Sequence, residues 1–184
     1  PTTFVCDGAV AVPQANGGDS GFVKCADGTI HRDHPVTCDT SVPACQGDEN
    51  TILCKTDAEC VAAPNGKCAH YAFTDLTGET TQCSCTYPCA NDGDCEDGSV
   101  CVCAGVVPTD NPWPACSTAA CATGEDCASG ECGISSYDDG CGRDVQLACR
   151  TLSDPCRLDA QCTDGYQCVT SYFAPGGWGC QTTD

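Results

Sequence analysis

Several things are scarce in this sequence. It has no methionine, and Leu, Ile, Val and Phe together make only 25 of its 184 residues. So few aliphatic side chains, with a formal charge of −19, exclude an ordinary oil-drop core and would by themselves point to a disordered chain. Basic residues number 7 against 26 acidic ones. That shortage excludes nucleic acid and anionic membranes as partners, because phosphate recognition needs clustered Lys and Arg. No apolar run is long enough for a signal peptide or a membrane span. With Pro1 at the start and no Met, the chain reads as a mature secreted product. Asn50-Thr51 is followed by Ile52, so no Asn-x-Ser/Thr sequon is present and N-linked glycosylation is not expected.

What is abundant argues for order instead. Twenty-three cysteines, about one residue in eight, is the density of a disulfide scaffold. Each native bridge in a small domain stabilises by roughly 2–4 kcal/mol, so up to eleven of them can replace the missing aliphatic burial. Such bridges persist only in an oxidising compartment, which predicts a secreted, extracellular or cell-surface location. The acidic side chains keep such a protein dispersed and leave cations or basic protein surfaces as the favoured partners.

The cysteines are phased. Cys54-KTDAE-Cys60, Cys89-ANDGD-Cys95, Cys121-ATGED-Cys127 and Cys156-RLDAQ-Cys162 share one frame, and Cys68, Cys101, Cys132 and Cys168 follow them. A period of this size marks a tandem array of one small module. The expected units are an N-terminal four-cysteine unit, 1–46, and cystine repeats at 47–86, 87–118, 119–151 and 152–184. In the first unit, Phe22 and Val23 precede an Ala26-Asp27-Gly28 turn, which reads as a hairpin. Further turn signals include Pro64-Asn65-Gly66, Asp138-Asp139-Gly140 and Pro175-Gly176-Gly177. No helical periodicity persists over three turns. The predicted fold is a small disulfide-rich one: tandem cystine-stapled modules with short β-hairpins and loops, little helix, and at most a helical turn within the Cys-x5-Cys segments. Bridges are expected mostly within about 30 residues of sequence, since each repeat must be closed by its own staples. Parity adds that at least one bridge crosses between neighbouring units, and that one thiol is left over.

Two resemblances follow from these residues. Cys89 to Cys103 with Cys116 resembles part of an epidermal growth factor module, having a short-spaced pair, then Cys101-Val-Cys103, then a closing cysteine. Cys83-Ser-Cys85 is a second Cys-x-Cys, but repeats three and four have none, which reads as convergence on a small-knot geometry. Over most of the chain, the Gly21–Arg32 segment, the Cys-x-x-Asp-x-x-Cys pattern and Trp178-Gly179-Cys180 resemble cysteine-rich secreted or surface proteins of myxobacteria and related predatory bacteria. That resemblance implies export and residence at the cell surface or matrix, and no chemistry.

Candidate chemistry is thin. Gly18-Asp19-Ser20-Gly21 matches a serine-protease nucleophile motif, yet no His precedes it, so it reads as a tight turn and no enzyme is expected. His31 and His34 bind a metal only if a turn converges them, because i and i+3 face opposite sides of a strand; His70 stands far from both in the sequence. Asp92, Asp94 and Glu96 resemble a calcium loop, but the EF-hand positions for Gly and Glu hold Asp97 and Cys103. That leaves a looser calcium site or a solvated acidic turn; no other cofactor is expected. Two Cys-x-Cys pairs and 11 aromatics argue for disulfides rather than thiolate metal storage. Trp113 is either packed on a neighbouring module or an exposed binding residue. Trp178, between glycines, covers its module's bridges or binds a partner. The leading expectation is a non-enzymatic extracellular structural or adhesive protein: a stiff rod that self-assembles into a homo-oligomer, filament or surface layer, or binds another surface protein. The competing one is a secreted inhibitor or toxin-like effector presenting a rigid loop, Val106–Pro114 or Arg150–Asp154.

Overall fold

A computed structural model of the chain describes residues 4–46, 51–75, 78–107, 112–138, 143–170 and 177–182. The expected turns at Asp139-Gly140 and Pro175-Gly176, and the centre of the Val106–Pro114 loop at 108–111, lie outside the described residues.

Each repeat is built the same way. An arch between its first two cysteines carries a single 3-10 turn: Asp57–Glu59, Asp92–Asp94, Gly124–Asp126 or Asp159–Gln161. Two β-strands follow the arch. With the N-terminal strands β1 (Val10–Pro13), β2 (Asp19–Lys24) and β3 (Ile30–Arg32) and the short β4 (Thr51–Ile52) counted first, the four hairpins number from β5. They are β5 (Lys67–Asp75) with β6 (Gly78–Thr86), β7 (Ser99–Val102) with β8 (Ala115–Ala119), β9 (Cys132–Asp138) with β10 (Arg143–Cys149), and β11 (Tyr166–Thr170) with β12 (Trp178–Thr182). Before each hairpin the chain passes through a left-handed residue, Asn65, Gly98, Gly130 or Gly165, which turns it back under the arch. Glycine fills three of the four positions because other L-residues are strained there, and asparagine is the side chain that tolerates it best.

The bridges repeat as strictly as the backbone. Within each hairpin two cysteines stand directly opposite: Cys68 and Cys85, Cys101 and Cys116, Cys132 and Cys149, Cys168 and Cys180. They do not bond to each other. The first of each pair reaches back to the start of the arch, giving Cys54–Cys68, Cys89–Cys101, Cys121–Cys132 and Cys156–Cys168. The second reaches its end, giving Cys60–Cys85, Cys95–Cys116, Cys127–Cys149 and Cys162–Cys180. Every repeat is therefore two interlocked loops, its arch clamped flat onto its hairpin.

Three bridges remain. Cys6–Cys25 closes the N-terminal unit. Cys38–Cys103 and Cys45–Cys83 cross from that unit into the second and first repeats, spanning 65 and 38 residues. The other nine span 25 residues or fewer, so closure is local with two cross-unit ties. This accounts for the odd cysteine counts of repeats one and two, whose fifth cysteines are spent on the N-terminal unit. The fifth cysteine of repeat three, Cys141, lies outside the described residues.

The N-terminal unit is the hub. Strand β3 meets β9 where His31 pairs with Gly133, and β10 runs parallel to β8, so one seven-stranded sheet runs β1-β2-β3-β9-β10-β8-β7. Repeat one keeps its own sheet, β4-β6-β5, docked by Cys45–Cys83 and by the bridge of Ala44 to Ala69. Repeat four is a two-stranded sheet whose Arg157 reaches Asp27 of the N-terminal unit at 3.7 Å. The expected rod, in which each repeat touches only its neighbours, is thus replaced by an array gathered around its first unit. The reason is that this unit lends out two cysteines and one strand edge.

The core is largely sulfur. The main cluster packs Phe22, Val100, Val102, Ile134, Val145 and Leu147 among seven buried half-cystines, Cys38, Cys89, Cys101, Cys103, Cys121, Cys127 and Cys132. Repeat one is centred on Cys54, Cys60, Cys68 and Cys83, and repeat four on Cys156, Cys168 and Trp178.

Replacing Cys38 and Cys103 together by Ser removes the longest closed loop, worth about 4 kcal/mol by chain entropy. The expected outcome is a lower thermal midpoint in non-reducing conditions with all eight arch-to-hairpin bridges still recovered by peptide mapping. Loss of those local pairings would contradict independent closure of the repeats.

Candidate functional site

The acidic residues of the arches are structural ligands of the backbone. Asp57, Asp92 and Asp159 open the 3-10 turns, and each accepts the N–H of its repeat's third cysteine, at 2.9, 3.0 and 2.8 Å. The residue closing each turn reaches back to the start of the arch. Glu59 accepts the N–H of Lys55 at 3.1 Å, and Asp94 and Asp126 accept those of Ala90 and Ala122, each at 2.7 Å. Gln161 does the same toward Arg157 and Leu158. These N–H bonds hold the Asp57, Asp94 and Asp126 carboxyls below their usual range.

For the calcium candidates, both oxygens of Asp92 and one oxygen of Asp94 are thereby committed. Asp92 Oδ1 takes the Cys101 N–H, and both of its oxygens take Arg32 Nη2 at 2.8 and 3.0 Å. Asp94 Oδ2 takes Ala90, Asn91 and Asn65. Glu96 is exposed beyond the turn. Asp92 and Asp94 thus serve arch closure.

His31 and His34 have different surroundings. His31 is buried on β3, edge-on to Phe4 with ring centroids 5.3 Å apart, and burial lowers its pKa. His34 sits exposed between two carboxylates, Nδ1 3.0 Å from Asp33 and Nε2 2.8 Å from Asp19. Hydrogen bonds to Asp33 and Asp19 raise the His34 pKa, and those from Gly21 and His34 lower that of Asp19. The nearby Ser20 is 1% exposed, and its hydroxyl donates to the Val12 carbonyl and accepts the Phe22 N–H; Asp19, Ser20 and Gly21 lie in strand β2, so the Gly-Asp-Ser-Gly motif opens a strand rather than forming the expected tight turn.

Neither tryptophan is available as a surface contact, which corrects the binding role expected as an alternative for them. Trp113 is buried and stands edge-on to Tyr71 of repeat one at 4.6 Å. Trp178 is buried beside the Cys156–Cys168 bridge. In the Arg150–Asp154 loop, Arg150 points inward. Thr151 and Asp154 close the turn through the Thr151 N–H and hydroxyl at 2.8 and 2.6 Å, leaving Leu152 82% exposed at the tip.

The site that sequence reasoning missed is built from arginine. Arg150 lies 3% exposed at the meeting of the N-terminal unit and repeats three and four, its guanidinium 3.3 Å from the ring centroid of Trp178. Its Nε is 3.5 Å from Glu131, which is itself 1% exposed. Arg157 Nη2 donates to both Glu131 oxygens, at 2.8 and 3.1 Å, and its guanidinium lies over Phe4. Burial pushes Glu131 up and Arg150 down to about 10. Beside this Arg–Glu–Arg cluster opens a cavity of about 240 Å³, lined by the Gly28–Ile30 turn, β9, Arg157–Asp159 and Gln167. The sequence signal was the scarcity of cations: Arg32, Arg150 and Arg157 are all spent as internal counter-ions, while Lys24 and Lys55 stay exposed.

Comparison with protein-family models, with curated proteins and with solved structures found no match.

Two outcomes are expected. An added Cβ at Gly133 would meet Arg150 Nε at 2.6 Å and Trp178 Cζ2 at 2.9 Å. Gly133→Ala should therefore cost about 1–3 kcal/mol by overpacking, seen as a lower thermal midpoint and a shifted Trp178 emission; an unchanged midpoint would contradict the packing. For His34, a raised folded pKa means its contribution is present below the ordinary 6.5 and lost as pH rises through the higher folded value. For Asp19, a lowered pKa means its contribution is present above 3.8 and lost on acidification. The His34–Asp19 pair is fully formed between those limits. An NMR titration should place His34 above 6.5, and His34→Gln should flatten the pH dependence of stability above that point.

Proposed function

We propose that the protein is a non-enzymatic extracellular structural or adhesive protein that associates with copies of itself, Cys141 forming the covalent link. The observation that carries this reading is the closure of the cysteine set. Twenty-two of the 23 cysteines are bridged to one another, so none of the described cysteines is left for Cys141 to pair with in its own chain. In an oxidising compartment a leftover thiol pairs between molecules or stays free. The extracellular setting is supported by the eleven bridges, and no helix among the described residues is long and apolar enough to cross a membrane. Arginines turned inward and acids turned outward keep the unassembled protein soluble.

A second reading, a secreted inhibitor or toxin-like effector, is favoured by the Thr151–Asp154 turn. It presents Leu152 from a tip closed by Asp154 and framed by the bridged Cys149 and Cys156, and a preorganised loop binds at low entropic cost.

Non-reducing electrophoresis with size-exclusion chromatography separates the two. Self-association predicts covalent dimers or a ladder that collapses on reduction and disappears in Cys141→Ser. A monomer with one alkylatable thiol, blocking a hydrolase in a Leu152-dependent way, would replace it with the inhibitor reading.

A further inference from the structure

One leftover thiol forms one bridge, and one bridge joins two copies. Growth beyond a covalent dimer needs a second surface on which the chain meets itself. The two ends of the seven-stranded sheet differ in this respect. At β7 the arch of repeat two already takes the edge, the Cys101 N–H donating to Asp92 Oδ1 at 3.0 Å. At β1 the edge is open. Val10 is 66% exposed, Ala9, Ala11 and Pro13 are exposed as well, and among the described residues only β2 bonds to Val10 and Ala11. An uncovered strand edge is a template for a further strand.

Neighbouring bonds fix the direction of the free groups. The Val12 carbonyl accepts from Ser20 Oγ, and the Gln14 N–H donates to the Gly18 carbonyl at 2.8 Å, both into the β1–β2 hairpin. Backbone groups alternate between the two edges of a strand, so Ala9, Ala11 and Pro13 aim theirs away from β2. Ala15 continues the alternation: its N–H leaves the hairpin for the Ala104 carbonyl of repeat two, at 2.8 Å. The open edge therefore runs from Ala9 to Pro13 and ends where repeat two begins. At that end Pro13 offers a carbonyl and no N–H.

Charge selects the occupant. Two molecules that each carry −19 repel wherever their carboxylates meet. The stretch from Gly8 to Gly18 holds no charged side chain, although Asp7 and Asp19 flank it. An antiparallel pair of β1 strands centred on Ala11 sets Ala11 against Ala11, Val10 against Val12 and Ala9 against Pro13, all uncharged. The same patch serves both partners, as a two-fold contact requires. A basic partner would find no carboxylate along this edge.

We propose that β1 is a self-association edge, through which two copies join their seven-stranded sheets about a two-fold axis at Ala11. Each Ala11 donates its N–H to the carbonyl of the other. The contact is short, which suits a surface that works beside a covalent link. The proposal rests on the self-association reading and gives it a second contact, but β1 pairing needs no thiol and the Cys141 link needs no strand.

The test uses the Cys141→Ser protein, in which only noncovalent contacts are left, with sedimentation velocity and amide hydrogen exchange over a concentration series. The expected result is a monomer–dimer equilibrium in which protection of the Ala11 N–H rises with concentration. Ala11→Pro removes an N–H that no internal bond uses, so the thermal midpoint should hold while association weakens by at least about tenfold, the worth of two neutral hydrogen bonds. Ala11→Glu and Ala11→Lys keep the N–H and place like charges directly opposite each other. Each alone should stay monomeric, and an equimolar mixture of the two should associate again. Three results would overturn the proposal: a Cys141→Ser protein that stays monomeric up to millimolar concentration; a dimer undiminished in folded Ala11→Pro; or a Glu and Lys mixture that associates no better than either variant alone. Disulfide-linked species of the unaltered chain are read separately. Their absence would sink the Cys141 link and leave the β1 result standing.

Discussion

The interlocking of two bridges in each repeat is the constraint on which the rest of the structure depends. Opposed cysteines on a hairpin are close enough to touch, yet here each reaches away to one end of the arch. The arch is thereby pinned at both ends onto the sheet. Its backbone donors then need acceptors that a short segment cannot supply from regular structure, and the acidic side chains at fixed places in the Cys-x5-Cys frame provide them. Repeat three shows the dependence by exception. Gly124 replaces the aspartate that opens the turn elsewhere, and among the described residues Asp126 and the Thr123 side chain carry the arch hydrogen bonds instead.

A core of cystine has a further consequence for charge. Sulfur pairs fill volume and exclude water within the modules, but they carry no charge to pair across the joints between modules. The chain fills these joints with arginine, whose flat guanidinium stacks on an aromatic ring and pairs with carboxylate at once. Arg32 joins the N-terminal unit to Asp92 of repeat two and to the Ala122 carbonyl of repeat three. Arg150 and Arg157 do the same between repeats three and four and the first unit. Burying such a charge is costly unless it is paired, so each of these arginines meets a carboxylate: Asp92 for Arg32, Glu131 shared by Arg150 and Arg157, and Asp27 for Arg157 as well. The strongly negative surface is in part what remains after the cations have been drawn inward.

Much of the fold was legible because cysteine spacing is periodic. The repeat frame and the local closure follow from phase, and the existence of at least one crossing bridge from parity. The connectivity did not, because spacing alone does not say whether the third cysteine returns to the first or to the second. The hub arrangement was equally hidden. Nothing local to Cys38 or Cys45 marks their partners, which lie 65 and 38 residues away. At the site, the acids were visible and were read as a looser calcium site or a solvated turn, but the backbone N–H groups and the Arg32 guanidinium that they accept from are displayed by no sequence pattern. Arg150, Glu131 and Gln167 come from separate places in the chain and meet only after docking, so no motif could join them.

The joints differ in kind, and this sets how the molecule responds to its surroundings. Repeats one and two are tied to the hub by Cys45–Cys83 and Cys38–Cys103. Repeat three is held by a shared strand edge, and repeat four by Arg157 on Glu131 and Asp27, with Trp178 beneath Arg150. A covalent tie is indifferent to ionic strength and yields to reductant. An ion-paired joint is indifferent to mild reductant and weakens as salt screens its partly exposed members. The half of the molecule tied by Cys45–Cys83 and Cys38–Cys103 therefore answers to reductant, and the joint of the hub with repeat four answers to salt through its partly exposed Arg157 and Asp27.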